Sequence, residues 1–281
     1  ISSVSREEWR IFGICPQDRK MEKLTIRDID VTGKRVLVRV DFNVPLDEKT
    51  QVIGDDSRIR AAIPTINYLT ERGARVILAS HLGRPDGKVV ESQRMGVVGQ
   101  RLSQILGKPV KIARDCIGPE VEKTAAGLKN GEILLLENLR FHAEEEENGA
   151  DFTKALASLA DIYVDDAFGT AHRKHASIVG VTKYLPSVAG LLMEQELQHL
   201  GGIVTNPAHP FGGLFGGAKV SDKVVLLDNL MGKVDFLFIG GGMAATFLKV
   251  KGIQVGKSLV EDDLLETAAK IMEKAKQNKA E

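Results

Sequence analysis

Basic side chains recur in the segments that follow four predicted strands. These segments read RVDFNVP (39–45), SHLGRP (80–85), ENLRFH (137–142) and DDAFGTAHRKH (165–175). Each supplies at least one cation or potential cation, and Arg58 adds another near the start of the first predicted helix. Guanidinium groups bind phosphate and carboxylate oxygens in bidentate geometry, and a helix N-terminus adds backbone donors. The pattern predicts a site for a small polyanion.

Several of these residues also have an ordinary structural explanation. One Arg in one loop is more often a solvated or ion-paired surface group, whereas four consecutive loops of the same kind indicate a ligand. His172 and His175 could contact the ligand or could cap backbone carbonyls. Asp41 and Asn43 could exchange hydrogen bonds with a ligand hydroxyl, or could only stabilise the turn before Pro45. An acid among so many arginines would also orient one of them.

Two glycine-rich segments lie in the last third of the chain. GGAKVSDK (216–223) precedes a predicted helix, and GGGMA (240–244) follows a predicted strand. Glycines let backbone amides approach phosphate oxygens, and lysine supplies a mobile charge. Neither segment has the order of a Walker A loop. The second one, extended by one Ala, matches the dinucleotide pattern G-x-G-x-x-A, but the acid expected about twenty residues later is found only as Glu261 and Asp262 at a predicted helix start.

The elements that must position these loops alternate between strands and helices. Short β-branched runs predict strands at 35–40, 75–79, 132–136, 162–164 and 234–239, with a shorter one at 110–112. Helical periodicity predicts helices from Asp56 or Ser57 to Gly73, with a kink at Pro64, and at 95–106, 152–159, 191–200, 223–230 and 262–276. Apolar strands imply a parallel sheet covered by helices on both faces, with ligands bound at the carboxyl ends of the strands. We therefore predict an α/β fold, with a doubly wound parallel (Rossmann-like) N-terminal domain followed by an incomplete second α/β domain.

The domain limits are predicted from changes in composition. Residues 1–20 lack the pattern of a secretory signal, and Met21 opens an ordinary protein start, so we interpret 1–20 as an upstream extension. A helix, a Gly-Gly pair and two prolines place a boundary within 188–210. We expect a first domain at 21–190, a helix and linker at 191–210, and a partial second domain at 211–281. Two strand-and-helix units cannot close a doubly wound domain, so this last domain is predicted to be truncated.

The composition excludes several classes of protein. With 38 basic and 38 acidic side chains, the chain has no net charge that would attract it to nucleic acid or to an anionic membrane. No run of about 18 apolar residues predicts a spanning helix. Cys15 and Cys116 cannot form a disulfide framework and have no zinc-ligand spacing, which favours a reducing cytoplasm. We expect a cytoplasmic monomer with no nucleic-acid or membrane partner.

Taken in order, the motifs resemble the phosphoglycerate kinase family from about Met21 to the end of the chain. The strings that carry the resemblance are RVDFNVP, SHLGRP, LLLENLRFH, DAFGTAHRKH, GGAKVSDK and GGGMA. The resemblance implies reversible phosphoryl transfer between 1,3-bisphosphoglycerate and ADP, giving 3-phosphoglycerate and ATP. It also implies that 21–190 is the substrate (3-phosphoglycerate) domain, 191–210 the hinge helix and linker, and 211–281 a partial nucleotide-binding domain. Mg²⁺ would be carried with the nucleotide, and the domains would close by hinge bending near 191–200.

The resemblance assigns roles by position in these motifs. Substrate contacts are implied for Asp41, Phe42, Asn43, Arg58, His81, Leu82, Gly83, Arg84, Arg140 and Arg173, with a surrounding basic patch of Arg39, His172 and His175. Catalytic stabilisation of the transferring group is implied for Arg58 and Lys219, and nucleotide binding for Lys219, Lys223, Gly240 and Gly241. The substrate carboxylate is already ionised near neutral pH, so it can attack the γ-phosphate without a general base.

The chain also departs from the family. The segments that carry the family's ribose-binding glutamate and magnesium-binding aspartate are not found before Glu281, so we expect no metal ligand within this chain. Gly212 and Gly213 weaken the strand expected before Lys219. We expect the chain to fold its first domain, to bind 3-phosphoglycerate and to catalyse little or nothing. A nicotinamide-dependent dehydrogenase and a noncatalytic phospho-acid binding module are the alternative functions.

Overall fold

The computed structural model describes residues 23–47, 49–205, 207–278 and 280. The upstream extension predicted at residues 1–20 lies outside them. The chain divides into two compact units, the first extending to Glu196 and the second beginning at Leu197. The assignment of a substrate domain and a nucleotide domain to particular residue ranges stays a prediction. No helix in the described part of the chain is long and apolar enough to cross a bilayer.

The first unit is built on a parallel sheet of six strands among the described residues. Its strands are β1 (Arg35–Arg39), β2 (Arg75–Ala79), β3 (Val110–Ile112), β4 (Ile133–Leu135), β5 (Ile162–Asp165) and β6 (Ser187–Ala189), in the order β3-β4-β2-β1-β5-β6. Every neighbouring pair is parallel. From β1 the chain builds the sheet first toward β2 and later toward β5, so the direction of winding reverses beside β1. The predicted doubly wound α/β fold is confirmed.

Helices cover both faces of this sheet. They are α1 (Ser57–Glu71), α2 (Gly96–Leu106), α3 (Pro119–Ala126), α4 (Ala143–Glu147), α5 (Ala150–Ser158) and α6 (Leu191–Thr205), the last of which continues past the end of the first unit. Successive residues of a strand point to opposite faces, so β1 contributes to two cores. Val36 and Val38 pack with residues of α1 and α2, while Leu37 packs with residues of α3 and α5.

Some local predictions differ from the structure. Helix α1 continues through Pro64 without interruption. Asp56 occupies the N-cap position of α1, but its carboxylate makes no capping hydrogen bond and pairs instead with Arg60 and Arg101. Strand β6 and helices α3 and α4 were not predicted. The three-residue strand β6 carries too little periodicity to be recognised in sequence, and it forms because it pairs with β5.

Beyond the end of α6, the second unit contains a parallel strand pair and three helices in its described part. These are β7 (Gly212–Gly216), α7 (Val224–Leu230), β8 (Phe236–Gly240), α8 (Met243–Val250) and α9 (Leu265–Gln277). β7 forms despite its glycines, because it pairs with β8 along its whole length. Phe215, Met243 and Phe247 share a core with residues of α7 and α9. Helix α8 was not predicted, and α9 begins after a 3-10 turn at Asp262–Leu264.

The two-faced core gives a stability prediction. Leu37→Ala deletes a side chain that is 1% exposed at the centre of β1, and we expect the first unit to lose about 2–5 kcal/mol of unfolding free energy. Val89→Ala, at a position 59% exposed, is the control and should change it by less than about 0.5 kcal/mol. Urea unfolding followed by tyrosine absorbance measures both, because Tyr68, Tyr163 and Tyr184 all lie in the first unit. Equal effects of the two substitutions would contradict the packing described.

Candidate functional site

Sheet register brings the four basic loops to one edge. Arg39, the last residue of β1, pairs with Ala79 of β2 on one side and Asp165 of β5 on the other. Leu78 of β2 in turn pairs with Leu135 of β4. Since all four strands are parallel, the segments that follow them leave the sheet side by side. This edge of the sheet, beside the reversal of winding, is where doubly wound folds bind ligands.

His81 lies in the middle of this edge. Its Nδ1 is 3.2 Å from a terminal guanidinium nitrogen of Arg39, and both side chains are buried. Burial lowers the pKa of His81 to about 2, and the nearby charges of Arg39, Arg140 and Arg173 add to this effect. The three arginines therefore converge on one neutral imidazole. We call Arg39, His81, Arg140, Arg173 and His175 the basic cluster.

His175 joins the basic cluster, whereas His172 does not. His175 is buried, and burial together with the charge of Arg140 lowers its pKa to about 4. Its Nδ1 lies 3.7 Å from a carboxylate oxygen of Glu145. His172 is exposed, and within the described part of the chain it has no hydrogen bond or ion pair. The sequence pattern placed the two histidines together, and the fold separates them.

Two arginines of the basic cluster have unused donors. Arg140 donates through one terminal nitrogen to the carbonyl of Gly83 at 2.9 Å and pairs through the other with Glu146 at 2.9 Å. Its Nε is buried and has no partner among the described residues, and the same is true of the Nε of Arg173. A buried N–H without an acceptor costs about 1–3 kcal/mol. Each donor therefore lacks an acceptor, and the described residues do not provide one.

Asp41 and Arg58 form the second part of the site. A terminal nitrogen of Arg58 donates to Asp41 Oδ2 at 2.8 Å, and the Arg58 side chain is half exposed. Asp41 Oδ1 also accepts from the backbone N–H of Asn43 at 3.1 Å, so the carboxylate both shapes the turn and orients the arginine. The Asn43 side chain accepts from the backbone N–H of Gly83 at 2.9 Å, which links the first loop to the second.

A cavity of about 250 Å³ opens beside Arg58 and Asp41. Asp166, which the sequence analysis did not single out, also lines it, and burial raises its pKa to about 6. Asp166 Oδ1 accepts from the backbone N–H groups of Leu192 and Met193 at the start of α6. The site is thereby joined to the helix that continues into the second unit. A larger cavity of about 470 Å³ beside α2 contains none of the predicted site residues.

Most of the other residues predicted to contact the substrate support the structure of the loops, and one is an exposed cation. The side chains of Phe42 and Leu82 lie in the hydrophobic core. The Leu82 backbone is held at both its N–H and its carbonyl by the Asn138 side chain, a connection that the sequence analysis missed. Gly83 has φ of 66°, and an added Cβ would meet the Gln93 side chain at 2.7 Å, so this turn requires glycine. Arg84 is exposed and has no partner among the described residues.

The two glycine-rich loops contact each other in the second unit. Gly241 has φ of 68°, and an added Cβ would sit 3.0 Å from the carbonyl oxygen of Gly217. The backbone N–H of Met243 donates to that same carbonyl at 2.9 Å. Gly240 ends β8, Lys219 is exposed in the first loop, and Lys223 is the N-cap residue of α7.

The two acids considered for a dinucleotide ribose are both engaged. The Glu261 carboxylate accepts from the backbone N–H groups of Val220 and Ser221 and from the Ser221 hydroxyl at 2.7 Å. Asp262 pairs with Lys249 at 2.7 Å. Glu261 therefore fixes the loop that carries Lys219. The sequence pattern already counted their position against a nicotinamide site, and these contacts agree with that interpretation.

Three potential metal ligands also meet in the first unit. Asp115, Cys116 and His142 offer donor atoms within 4.8 Å of one another, and His142 Nε2 is 2.7 Å from Asp115 Oδ1. Burial raises the pKa of the Cys116 thiol. Sequence spacing gave no sign of this group, because residues 115 and 142 are brought together only by the fold.

Comparison with known proteins identifies relatives of the whole described chain. The profile of the phosphoglycerate kinase family matches residues 26–281. The phosphoglycerate kinases of Moorella thermoacetica and Dictyoglomus turgidum are 56% and 58% identical to this chain over 92% and 90% of its length. A chloroplastic phosphoglycerate kinase of Chlamydomonas reinhardtii is 57% identical over 88% of the chain.

Solved structures give the same result. The phosphoglycerate kinase of Coxiella burnetii aligns over 92% of this chain with a TM-score of 0.81 and 39% identity. That of Pyrococcus horikoshii OT3 aligns over 91% with a TM-score of 0.72 and 32% identity. This chain covers 65% and 63% of the lengths of the two bacterial relatives and 54% of the algal one, and 65% and 64% of the two solved chains.

The neutral, buried His81 gives a pH prediction. Its pKa in the folded chain is about 2, below the unfolded value of about 6.5, so below pH 6.5 the unfolded chain binds a proton that the folded chain does not. Stability from this residue is complete above pH 6.5 and is lost as the pH falls. Between pH 7.5 and 5.0 we expect it to cost the first unit about 2 kcal/mol, at about 1.4 kcal/mol per pH unit.

The comparison of wild type with His81→Gln isolates this effect. Urea unfolding at both pH values, followed by tyrosine absorbance, should show a loss on acidification that is about 2 kcal/mol smaller in the variant, because Gln does not titrate. An identical pH dependence in the two proteins would show that His81 is not held neutral by its surroundings.

Proposed function

The chain belongs to the phosphoglycerate kinase family, and on that premise we propose that the whole protein transfers a phosphoryl group reversibly between 1,3-bisphosphoglycerate and ADP, giving 3-phosphoglycerate and ATP. One observation in the site carries the substrate side of this proposal. The Nε groups of Arg140 and Arg173 are buried donors without a partner among the described residues, beside a neutral His81. Such donors suit a ligand with phosphate and carboxylate oxygens.

The first unit is proposed to bind the three-carbon phosphorylated acid. Arg39, His81, Arg140, Arg173 and His175 would surround its anionic groups, and Arg84 would reach it from the exposed end of the second loop. Asn43 and Gly83 join the first two loops, so their proposed role is to hold the loops in register. Phe42 and Leu82 anchor those loops through the core. His172, which is exposed, is proposed only as part of the outer surface that attracts the anion.

The second unit is proposed to bind the nucleotide, which would arrive as its Mg²⁺ complex. Gly240 and Gly241 would let the backbone approach the phosphates, as Gly241 already does with the carbonyl of Gly217. Lys219 and Lys223 would supply charge, with Glu261 holding the loop between them. Binding of a nucleotide would distinguish a kinase from a noncatalytic phospho-acid binding module.

The chemistry requires charge stabilisation more than proton transfer. The carboxylate of 3-phosphoglycerate is ionised near neutral pH and can attack the γ-phosphate directly. The transferring group is metaphosphate-like, so catalysis depends on positioning and on cations placed where charge develops. We propose that Arg58 and Lys219 supply those cations. Asp41 would orient Arg58 by pairing with one of its terminal nitrogens. The exposed part of the guanidinium group would then remain available to the transferring group.

The cellular setting is also a proposal. We propose a cytoplasmic monomer that has no nucleic-acid partner, in keeping with a net charge of zero. The relative from Chlamydomonas reinhardtii is chloroplastic, so membership of the family does not by itself set the compartment.

Binding of 3-phosphoglycerate tests the substrate side. Isothermal titration calorimetry of this chain should show binding, and Arg84→Ala should weaken it by about tenfold, the expected effect of losing one charge-assisted contact. Because Arg84 is exposed and has no partner among the described residues, this substitution should leave the fold intact. Arg72→Ala is the matched control. Arg72 follows the last turn of α1, at the opposite end of this helix from Arg58, and its guanidinium group stacks on Tyr68. Equal affinity in wild type and Arg84→Ala would remove Arg84 from the site.

Steady-state kinetics of the whole protein test the catalytic side. We expect Arg58→Ala to abolish turnover while leaving nucleotide affinity nearly unchanged, because Arg58 is assigned to the transferring group and not to the nucleotide. Nucleotide affinity can be measured by equilibrium binding of ADP. Loss of ADP binding in this variant would show that the loop has been assigned to the wrong substrate.

A further inference from the structure

Arg39 of the basic cluster is hydrogen-bonded to other buried polar groups. Arg39 is 1% exposed, although a guanidinium group is costly to bury without compensation. One terminal nitrogen donates to the carbonyl of Val40, and the other lies 3.2 Å from His81 Nδ1. Its Nε donates to the Ser177 hydroxyl at 2.9 Å. None of these three partners carries a compensating negative charge.

The nearest buried carboxylate is that of Glu145 on the short helix α4. Burial raises the pKa of Glu145, and the charge of Arg39 and the hydrogen bonds from Ser177 act in the opposite direction, toward the ionised form. Glu145 is fully buried, and both of its carboxylate oxygens are directed at Ser177. Oε2 accepts from the Ser177 backbone N–H at 2.9 Å, and Oε1 accepts from the Ser177 hydroxyl at 2.5 Å. Oε1 is also 3.7 Å from Nδ1 of His175. Glu145 therefore lies next to the basic cluster, on its buried side, and is not exposed to solvent.

Ser177 connects the carboxylate to the arginine. Its hydroxyl gives its only hydrogen to Glu145 and receives the Nε hydrogen of Arg39, so the direction of both bonds is fixed. Its carbonyl accepts from the buried Tyr163 hydroxyl at 2.7 Å. The result is a continuous chain of hydrogen bonds from Glu145 through Ser177 to Arg39 and His81.

The other acids nearby are used differently. Asp165 is opposite Arg39 in the sheet, but its carboxylate accepts from the backbone N–H of Ala167. Glu146 pairs with Arg140 on the outer side, where its side chain is 43% exposed. Asp166 is also buried, but its carboxylate accepts from the backbone at the start of α6. Among the described acids, only Glu145 is both fully buried and connected by its carboxylate, through Ser177, to the Arg39 guanidinium.

We propose that Glu145 is a positioning residue of the phospho-acid site: it never touches the ligand, and through Ser177 it holds Arg39, and with it His81, in the geometry that receives the anion. This inference rests on the proposed function. Without this connection, Arg39 would keep only its contacts with the Val40 carbonyl and His81. Repulsion from Arg140 and Arg173 would then shift it, because like charges repel strongly where water is excluded. The carboxylate therefore keeps cations together that their own charges would separate.

Positioning and simple electrostatics predict opposite results for Glu145→Gln. The substitution removes a negative charge from behind an anion site, so charge alone would make 3-phosphoglycerate bind more tightly. A Gln amide has one acceptor oxygen where Glu145 uses two, so either the backbone N–H or the hydroxyl of Ser177 loses its acceptor, and the connection to Arg39 is loosened. Positioning predicts binding about tenfold weaker, the typical effect of losing hydrogen bonds to a charged group.

The experiment is calorimetric titration of this chain with 3-phosphoglycerate and, separately, with 2-phosphoglycerate. The two probes carry the same charge and differ only in geometry, so the ratio of their affinities reports how well the cluster is positioned. We expect Glu145→Gln to weaken 3-phosphoglycerate binding and to reduce this ratio. Glu147→Gln removes the same charge from an exposed position on the same helix and should leave both affinities unchanged.

Ser177→Ala provides a second test if Glu145→Gln does not fold. It removes the connecting hydroxyl and keeps the charge of Glu145, and it should reduce the ratio to a similar extent. An unchanged ratio in the folded variant, or tighter binding in Glu145→Gln, would overturn the inference. Failure of the wild-type chain to bind either acid would instead refute the proposed substrate site, and it is distinguishable because it appears before any substitution is made.

Discussion

The parallel direction of the strands in the first unit is the constraint on which the site depends. Parallel strands deliver all of their carboxyl ends to one edge, so loops far apart in the sequence become neighbours without any further device. The reversal of winding beside β1 leaves that edge open between the loops that follow β1 and β5. Arg39 stands at this point, between Ala79 and Asp165 in register, and the rest of the basic cluster is arranged around it.

Several guanidinium groups lie at one buried edge, and their mutual electrostatic repulsion is reduced in three ways. His81 and His175 are held neutral, which reduces the number of positive charges. Glu146 pairs with Arg140 at the surface, and Glu145 lies beneath the cluster with both oxygens on Ser177. The Nε donors that remain unpartnered are those expected to meet an anion. The described residues thus offset part of the positive charge and leave these two donors without an acceptor.

Polar side chains connect the loops to one another and to the fold. Asn43 bonds to Gly83 and joins the first loop to the second, while Asn138 holds Leu82 and joins the third to the second. Asp166 extends these connections to the start of α6. In the second unit Glu261 has a comparable role, because it fixes the loop that carries Lys219.

The sequence determined the kind of fold and the chemistry of the site. Apolar strand runs, helical periodicity and cations after each strand depend on local patterns, and these patterns were sufficient to predict a parallel α/β domain with an anion site at its strand ends. The motifs also indicated the family. Gly83 and the Asp41 turn could be identified because backbone conformation is encoded locally.

Only the tertiary structure decided which of those residues act together. His172 and His175 are three positions apart, yet one is exposed and the other buried, because the difference depends on what packs against the loop. Glu145 lies in a run of four glutamates and cannot be distinguished there from its exposed neighbours. Its contact with Ser177 joins residues 32 positions apart. Burial and long-range pairing set the charge state and position of each group, and neither is a property of the local sequence.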